Sequence, residues 1–308
     1  MFTIKNRILA HFVAGFFFYV TESLNYIGEC AIYNIVTFCL VCREGFYLEK
    51  STVIGMILGV AAVIIGMALK GASPAALINP AAFMIIFVGT AAALFNAFPM
   101  EQVKNFPVLI KKLFKQEERI SKHQLLTLFV ELSQVARREG ILALESRLED
   151  INDPFLKNGM SMVIDGMDVD FVRDVLDADI EAMEERHRAG ALIFSQAGMY
   201  APTLGVLGAV IGLIAALGSL DDIEKLGHSI AAAFVATLLG IFTGYVLWHP
   251  FANKLKLISK EEVELKRMMV EGILSLQAGD SPMAIESKLL VFIPQKVREL
   301  LKPKPEDK

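Results

Sequence analysis

A chain of 308 residues that is 54% hydrophobic and only 21% charged, with a mean hydropathy of +0.50, is too apolar for an ordinary soluble protein. A formal net charge of −4 and a pI near 5.8 argue against nucleic acid as a partner, because phosphate binding needs a basic face. At roughly 150 residues per domain the length suggests about two units, which the composition divides into a membrane bundle and a helical cytosolic insert.

Residues 1–50 stand apart. All three cysteines (Cys30, Cys39, Cys42) and four of the six tyrosines (Tyr19, Tyr26, Tyr33, Tyr47) fall there. Cys39 and Cys42 form a lone CxxC, which without a second pair is weak evidence for zinc or redox chemistry. The apolar run from Ile8 to Val20, after Lys5 and Arg7, imitates a signal peptide but no small-residue cleavage site follows it. The expectation is a non-native or upstream-start extension, with the natural chain beginning near Leu48.

Residues 51–98 hold two apolar runs, Thr52 to Leu69 and Pro80 to Phe98, separated by KGASPAALIN. So short a connection predicts a transmembrane hairpin. Residues 99–190 read as a helical domain: HQLLTLFVELSQVARR places Leu125, Leu128, Phe129, Leu132 and Val135 at helical spacing. Glu184 and Arg188 stand one turn apart there, as Glu262 and Lys266 do in the tail. Such faces are ordinarily solvated, and periodicity alone singles out none of their charges.

Residues 191–249 carry the strongest signal. Ala191 to Leu217 and Ile230 to Trp248 contain no Asp, Glu, Lys or Arg, and each is long enough to cross a bilayer as a helix. Residues 250–308 are a charged helical tail. Thirteen Lys and Arg lie between the second and third spans and eleven after Trp248, against Lys70 and Lys225 alone in the other two loops. That asymmetry places the middle segment and the tail in the cytoplasm and turns the loops around Ser73 and Asp221 outward. The fold class is therefore all-α: an integral membrane protein with four transmembrane helices and a helical cytoplasmic domain between helices two and three.

Within the last two spans, Gly208, Gly212 and Ala216 recur at intervals of four, as do Ala201, Gly205 and Ala209, and Ala236, Gly240 and Gly244. Small residues at this spacing let helix backbones approach closely in lipid. Pro202 removes a donor inside span three and should bend it; Pro250 should end span four at the cytoplasmic edge. A cation path through a membrane generally needs an ionisable group at depth. The spans offer hydroxyls and amides such as Thr90, Thr237, Thr243, Ser195, Tyr200, Tyr245 and Asn96, so a proton-accepting carboxylate must come from another polypeptide. No enzyme is indicated: His123, His187, His228 and His249 lack paired ligand spacing, and neither a phosphate loop nor a nucleophile elbow is present. No cofactor and no metal are expected.

Four segments, STVIGMILG, NPAAFMIIFVGTAAALFNAFP, ARREGILALESRLED and APTLGVLGAVIGLIAALGSL followed by AAAFVATLLGIFTGYVLWHPFANKLK, closely resemble the MotA family of flagellar-motor stator subunits, within the MotA/TolQ/ExbB proton channel family. The likeness runs from about Ser51 to Leu301. It implies that Pro202 and Pro250 match the family's two coupling prolines and Thr237 its pore-lining threonine. Ala209 occupies a position that tends to be Thr in sodium-driven relatives, so the resemblance implies H+ as coupling ion, with Na+ second. Arg137 and Glu145 match a charged pair that engages the rotor protein FliG. The partner carboxylate would come from MotB, which also anchors to peptidoglycan, and five family chains would ring two MotB chains in the bacterial inner membrane. Two rival readings stand beside it: an ion-driven motor of the ExbB/TolQ type, which energises outer-membrane processes and typically has three spans, and a self-contained transporter or membrane scaffold, of which a transporter would be expected to carry an intramembrane acid or base.

Overall fold

The computed structural model describes residues 50–115, 120–148, 151–295 and 298. The extension with its CxxC pair, His11 and the signal-like run lies outside them. Helix α1 (Lys50–Leu69) is a run of Val, Ile, Leu, Met, Ala and Gly with no fully buried residue across its apolar stretch, as expected of a helix that gives most of its surface to lipid. One close approach ties it to the bundle: a β-carbon on Gly59 would lie 2.7 Å from Val246 Cγ1. At its polar end, the Thr52 hydroxyl donates to the Leu113 carbonyl at 3.5 Å, and the Lys254 ammonium donates to Ser51 and Thr52.

After a 3₁₀ turn at Pro74–Leu77 comes α2, started by the Asn79 side chain accepting from the Ala81 and Ala82 amides, with Pro80 at the first helical position. It runs Pro80–Phe83, widens into a π-helical segment at Met84–Val88, and returns to α geometry at Gly89–Ala97. The short α3 (Met100–Val103) leads to α4 (Phe106–Phe114), whose Phe106, Leu109, Ile110 and Phe114 pack on Ala191, Phe194, Ala252 and Leu255. Phe106 stacks on Phe194 at 5.0 Å, and Trp248 and Phe251 complete an aromatic collar where apolar helix gives way to charged helix. Aromatic rings favour that boundary because one edge is apolar and the other meets water.

The polar half begins with α5 (Lys122–Glu139), opened by a Ser121–Gln124 capping box and closed by Gly140, whose φ of +89° no L side chain adopts easily. A 3₁₀ turn (Ile141–Leu144) and the single-turn α6 (Glu145–Leu148) follow, then α7 (Pro154–Ile164), capped by Asp153. Helix α8 (Val169–Leu217) is one unbroken element of 49 residues, and α9 (Ile223–Phe242) passes through a π segment (Thr243–Trp248) into α10 (His249–Gln277) without a break. Helix α11 (Pro282–Leu290) closes the described chain.

Two findings go beyond the sequence reading. The helix does not stop at Pro250. The helix absorbs it: the π segment immediately before it moves the His249 amide onto the Gly244 carbonyl, five residues back, and so relieves the crowding a proline ring imposes on the preceding turn. Nor do residues 99–190 close a core alone. Leu125, Phe129, Leu132, Phe155, Met160, Leu176 and Ile180 are buried together with Met268, Met269, Ile273, Ile285, Leu289 and Ile293 from the tail.

Candidate ion path and coupling seam

The α8–α9 interface is built from backbone. A β-carbon on Gly212 would lie 2.9 Å from Ala233 Cβ, and one on Gly208 would lie 3.0 Å from Ala236 Cβ. On Gly205 it would meet the Ala236 carbonyl oxygen and the Gly240 α-carbon, each at 2.9 Å; on Gly240 it would meet the Ala201 oxygen and the Gly205 α-carbon, each at 2.8 Å. Farther along, Gly244 presses on the Pro202 ring and the Gly198 carbonyl, at 2.6 and 2.8 Å by the same measure. These small residues fall on one stripe of each helix because their spacing follows the helical period. Every side chain larger than Ala along that stripe would prise the two backbones apart.

Pro202 is part of this seam through Gly244. Ala209 and Thr237 are half-buried and border it, each beside a seam residue, Gly208 and Ala236. The Thr237 hydroxyl donates to the Ala233 carbonyl at 3.3 Å, which satisfies it within the helix while leaving its oxygen lone pairs available. Thr243, buried, donates in the same way to Leu239 at 2.8 Å and to Gly240 at 3.2 Å. Pro250 lies beyond the seam on an exposed turn. Arg137 and Glu145 stand in the polar half, both exposed, on the last turn of α5 and the first of α6. Among the described residues neither side chain is engaged in a hydrogen bond or ion pair, so both charges face outward unneutralised.

Some polar groups bearing on the path escaped the sequence reading. In α8, Gln196 is half-buried and the Thr203 hydroxyl donates to the Tyr200 carbonyl at 2.7 Å. Their signal was there, since each interrupts an otherwise apolar run. Thr90 was noted as a hydroxyl; the structure adds that its Oγ1 is buried without a partner, two residues past the π segment of α2. Among the described residues no group of three or more His, Cys, Asp or Glu is placed to hold a metal.

In the polar half, ion pairs pin the helices to one another. Lys122 donates to Glu264 at 2.9 Å and to the Phe292 carbonyl at 3.1 Å, and its hydrogen bond holds the Glu264 carboxyl below the usual range. Lys288 bonds Asp280 at 2.8 Å and Ser275 at 3.1 Å and lies 3.5 Å from Glu271; the Asp280 carboxyl is lowered chiefly by the Lys288 hydrogen bond, and Lys288 is raised chiefly by Asp280.

The profile of the MotA/TolQ/ExbB proton channel family matches residues 147–268, and that of the motility protein A N-terminal region matches residues 53–140. The chain belongs to the MotA/TolQ/ExbB proton channel family. It is 57% identical to motility protein A of Bacillus subtilis over 251 residues, 82% of this chain and 93% of that protein. The flagellar MotAB stator complex of Bacillus subtilis contains a chain that superposes with a TM-score of 0.79 at 56% identity, covering 83% of this chain and all of that one. A chain of the C. jejuni MotAB structure superposes at 0.75 with 30% identity, covering 84% and 99%. Membership makes this chain a multi-pass membrane protein of the flagellar stator type.

Proposed function

We propose that the chain assembles with MotB into a proton-conducting complex that converts ion flow into torque on the rotor protein FliG. The polar half faces the cytoplasm of a bacterial inner membrane, and five copies surround two MotB chains. Protons enter from the outer side, neutralise a MotB carboxylate near Thr237 and leave to the cytoplasm. The observation that carries this reading is the seam itself: α8 and α9 touch through Gly205 and Gly240 with no Asp, Glu, His, Lys or Arg from Ala191 to Leu217 or from Ile230 to Trp248. Such a wall admits and packs against a charged partner helix but stores no proton of its own. A charge falling through the membrane potential releases about 2.3 kcal/mol per 100 mV, enough to reset which of two close packings is preferred. Arg137 and Glu145, exposed and unpaired, then carry the movement to the rotor through charge contacts.

Replacing Thr237 by Leu tests this directly. The variant should insert and bind MotB normally yet leave cells non-motile with intact filaments. Normal swimming by the Thr237→Leu strain would remove the assignment, and defective nutrient uptake in place of paralysis would select the ExbB/TolQ type of motor.

A further inference from the structure

The seam ends on a titratable ring. His249 lies directly over Gly198: a β-carbon on that glycine would sit 2.8–2.9 Å from the imidazole Cδ2, Cε1 and Cγ, so only glycine lets the ring lie against the α8 backbone. The same stretch of α8 presents the Gly198 carbonyl and the Pro202 ring to Gly244, so His249 follows the narrowest part of the interface by about one and a half turns. Its amide is held by the Gly244 carbonyl across the π segment, and its ring rests 5.3 Å from that of Tyr245. The ring is half-buried, and it stands where the apolar run of α9 ends beside the aromatic collar around Trp248.

Few charges surround it. Helix α8 has none between Arg188 and its end at Leu217 and contributes Tyr200 as its titratable group; the π segment contributes Tyr245; α10 brings Lys254, which bonds Ser51 and Thr52; α3, packed on α8, brings Glu101. An imidazole can both take up and release a proton at a ring nitrogen.

Resting on the stator reading above, we infer that His249 is the inner-side proton acceptor of the path. A proton released from the O–H of the neutralised MotB carboxyl forms an N–H bond on the unprotonated ring nitrogen, and that bond breaks as cytoplasmic water takes the proton, returning the neutral ring. The π segment and Gly198 act as positioning elements that keep the imidazole at the mouth.

Rotation speed measured while a membrane-permeant weak acid sets cytoplasmic pH tests the inference in cells carrying the full MotB complex. With the natural chain, speed should fall as the cytoplasm is acidified, because release of the proton to the inner side is opposed. The His249→Gln variant should run about five- to tenfold slower with a flat pH response. Added imidazole should restore His249→Ala several-fold, whereas thiazole, a ring of the same size that stays unprotonated, should not. A His249→Gln strain with the natural speed and pH response overturns the inference, as does equal rescue by both rings. Failure of both variants to copurify with MotB makes the ring a packing group and overturns it too. Thr237→Leu, run in parallel, separates the two failures: if it swims, the stator reading falls; if it is paralysed while His249→Gln behaves like the natural chain, only the histidine role falls.

Discussion

At Gly205 and Gly240 two helices meet with nothing between their main chains, and a single methyl decides whether they can. The atoms that a new β-carbon would strike, an α-carbon and a carbonyl oxygen, belong to backbone and cannot rotate away. Inserting bulk into such a contact costs typically 1–3 kcal/mol, about as much as a whole seam residue contributes. Gly240→Ala should therefore lower the melting temperature of the detergent-solubilised complex by several degrees and abolish swimming. Gly55→Ala, on α1 where a β-carbon meets nothing within 4 Å, should change neither. Equal melting temperatures for the two variants would show that the seam tolerates separation. Lys288 offers a second test at this scale. Asp280 is depressed below its ordinary 3.8, so its contribution is present above that pH and lost as pH falls through its lowered value; Lys288 is raised above 10.5, so its contribution persists below that pH and disappears only as pH climbs through its raised value. The pair is largely solvated and worth well under 1 kcal/mol. Amide protection in α11, taken relative to the intrinsic exchange rate at each pH, should accordingly be greatest between those limits, and Lys288→Met should erase the acid-side loss; an unchanged acid profile in that variant would exclude the pair as its cause.

Among the elements, what the sequence made legible and what it hid have different physical origins. The four spans announced themselves because about twenty residues without charge have few other uses, and helix starts at Asn79-Pro80, Ser121, Asp153-Pro154 and Ser281-Pro282 carry local capping chemistry that needs no partner. The small-residue stripes were equally plain, though their mates were not: that Gly244 faces Pro202 and Gly198 faces His249 is a property of two helices together. Sharing of one core by α5, α7, α10 and α11 was hidden for the same reason, since periodicity describes a face but not what covers it. The π segments had no signature at all except Pro250. If that proline holds the wide turn open, Pro250→Ala should let residues 243–248 settle into an α-helix, which removes one residue from the turn count and rotates α10 by about 100° relative to α9. Ala252 and Leu255 would then leave their pocket against Phe194 and Leu113. The expected outcome is a strain with normal amounts of chain in the membrane and no swimming, and faster trypsin cleavage at Lys254 and Lys256; a natural cleavage pattern would mean the π turn is held by packing instead.

Over the whole molecule, two elements cross from the membrane half to the polar half, and both are continuous helical runs. Helix α8 extends roughly 73 Å and α9 through α10 roughly 82 Å at about 1.5 Å per residue, so a displacement at the seam is carried into the polar half by stiff rods. Those rods end in one core: Val172, Leu176 and Ile180 of α8 pack with Met269, Ile273 and Leu276 of α10 and with Leu125 and Phe129 of α5, the helix that bears Arg137. The apolar residues exposed on the spans, among them Val206, Ile211, Ile214 and Phe234, belong to the opposite end. Torque then depends on helix continuity between the two ends. Arg188, exposed, and Ala189, half-buried, lie just before Gly190, where α8 leaves the polar half and presses on Leu109. Replacing both by Gly costs about 1 kcal/mol each in helix propensity and removes the Arg188–Glu185 surface pair at 3.3 Å. The double variant should still insert, bind MotB and recruit to motors, while stall torque measured on tethered beads drops at least two-fold and proton uptake per motor stays near the natural value. Full torque from the Gly-Gly strain would mean that α9–α10 alone transmits the movement; loss of proton flow along with torque would place the coupling within the membrane half, upstream of the rods.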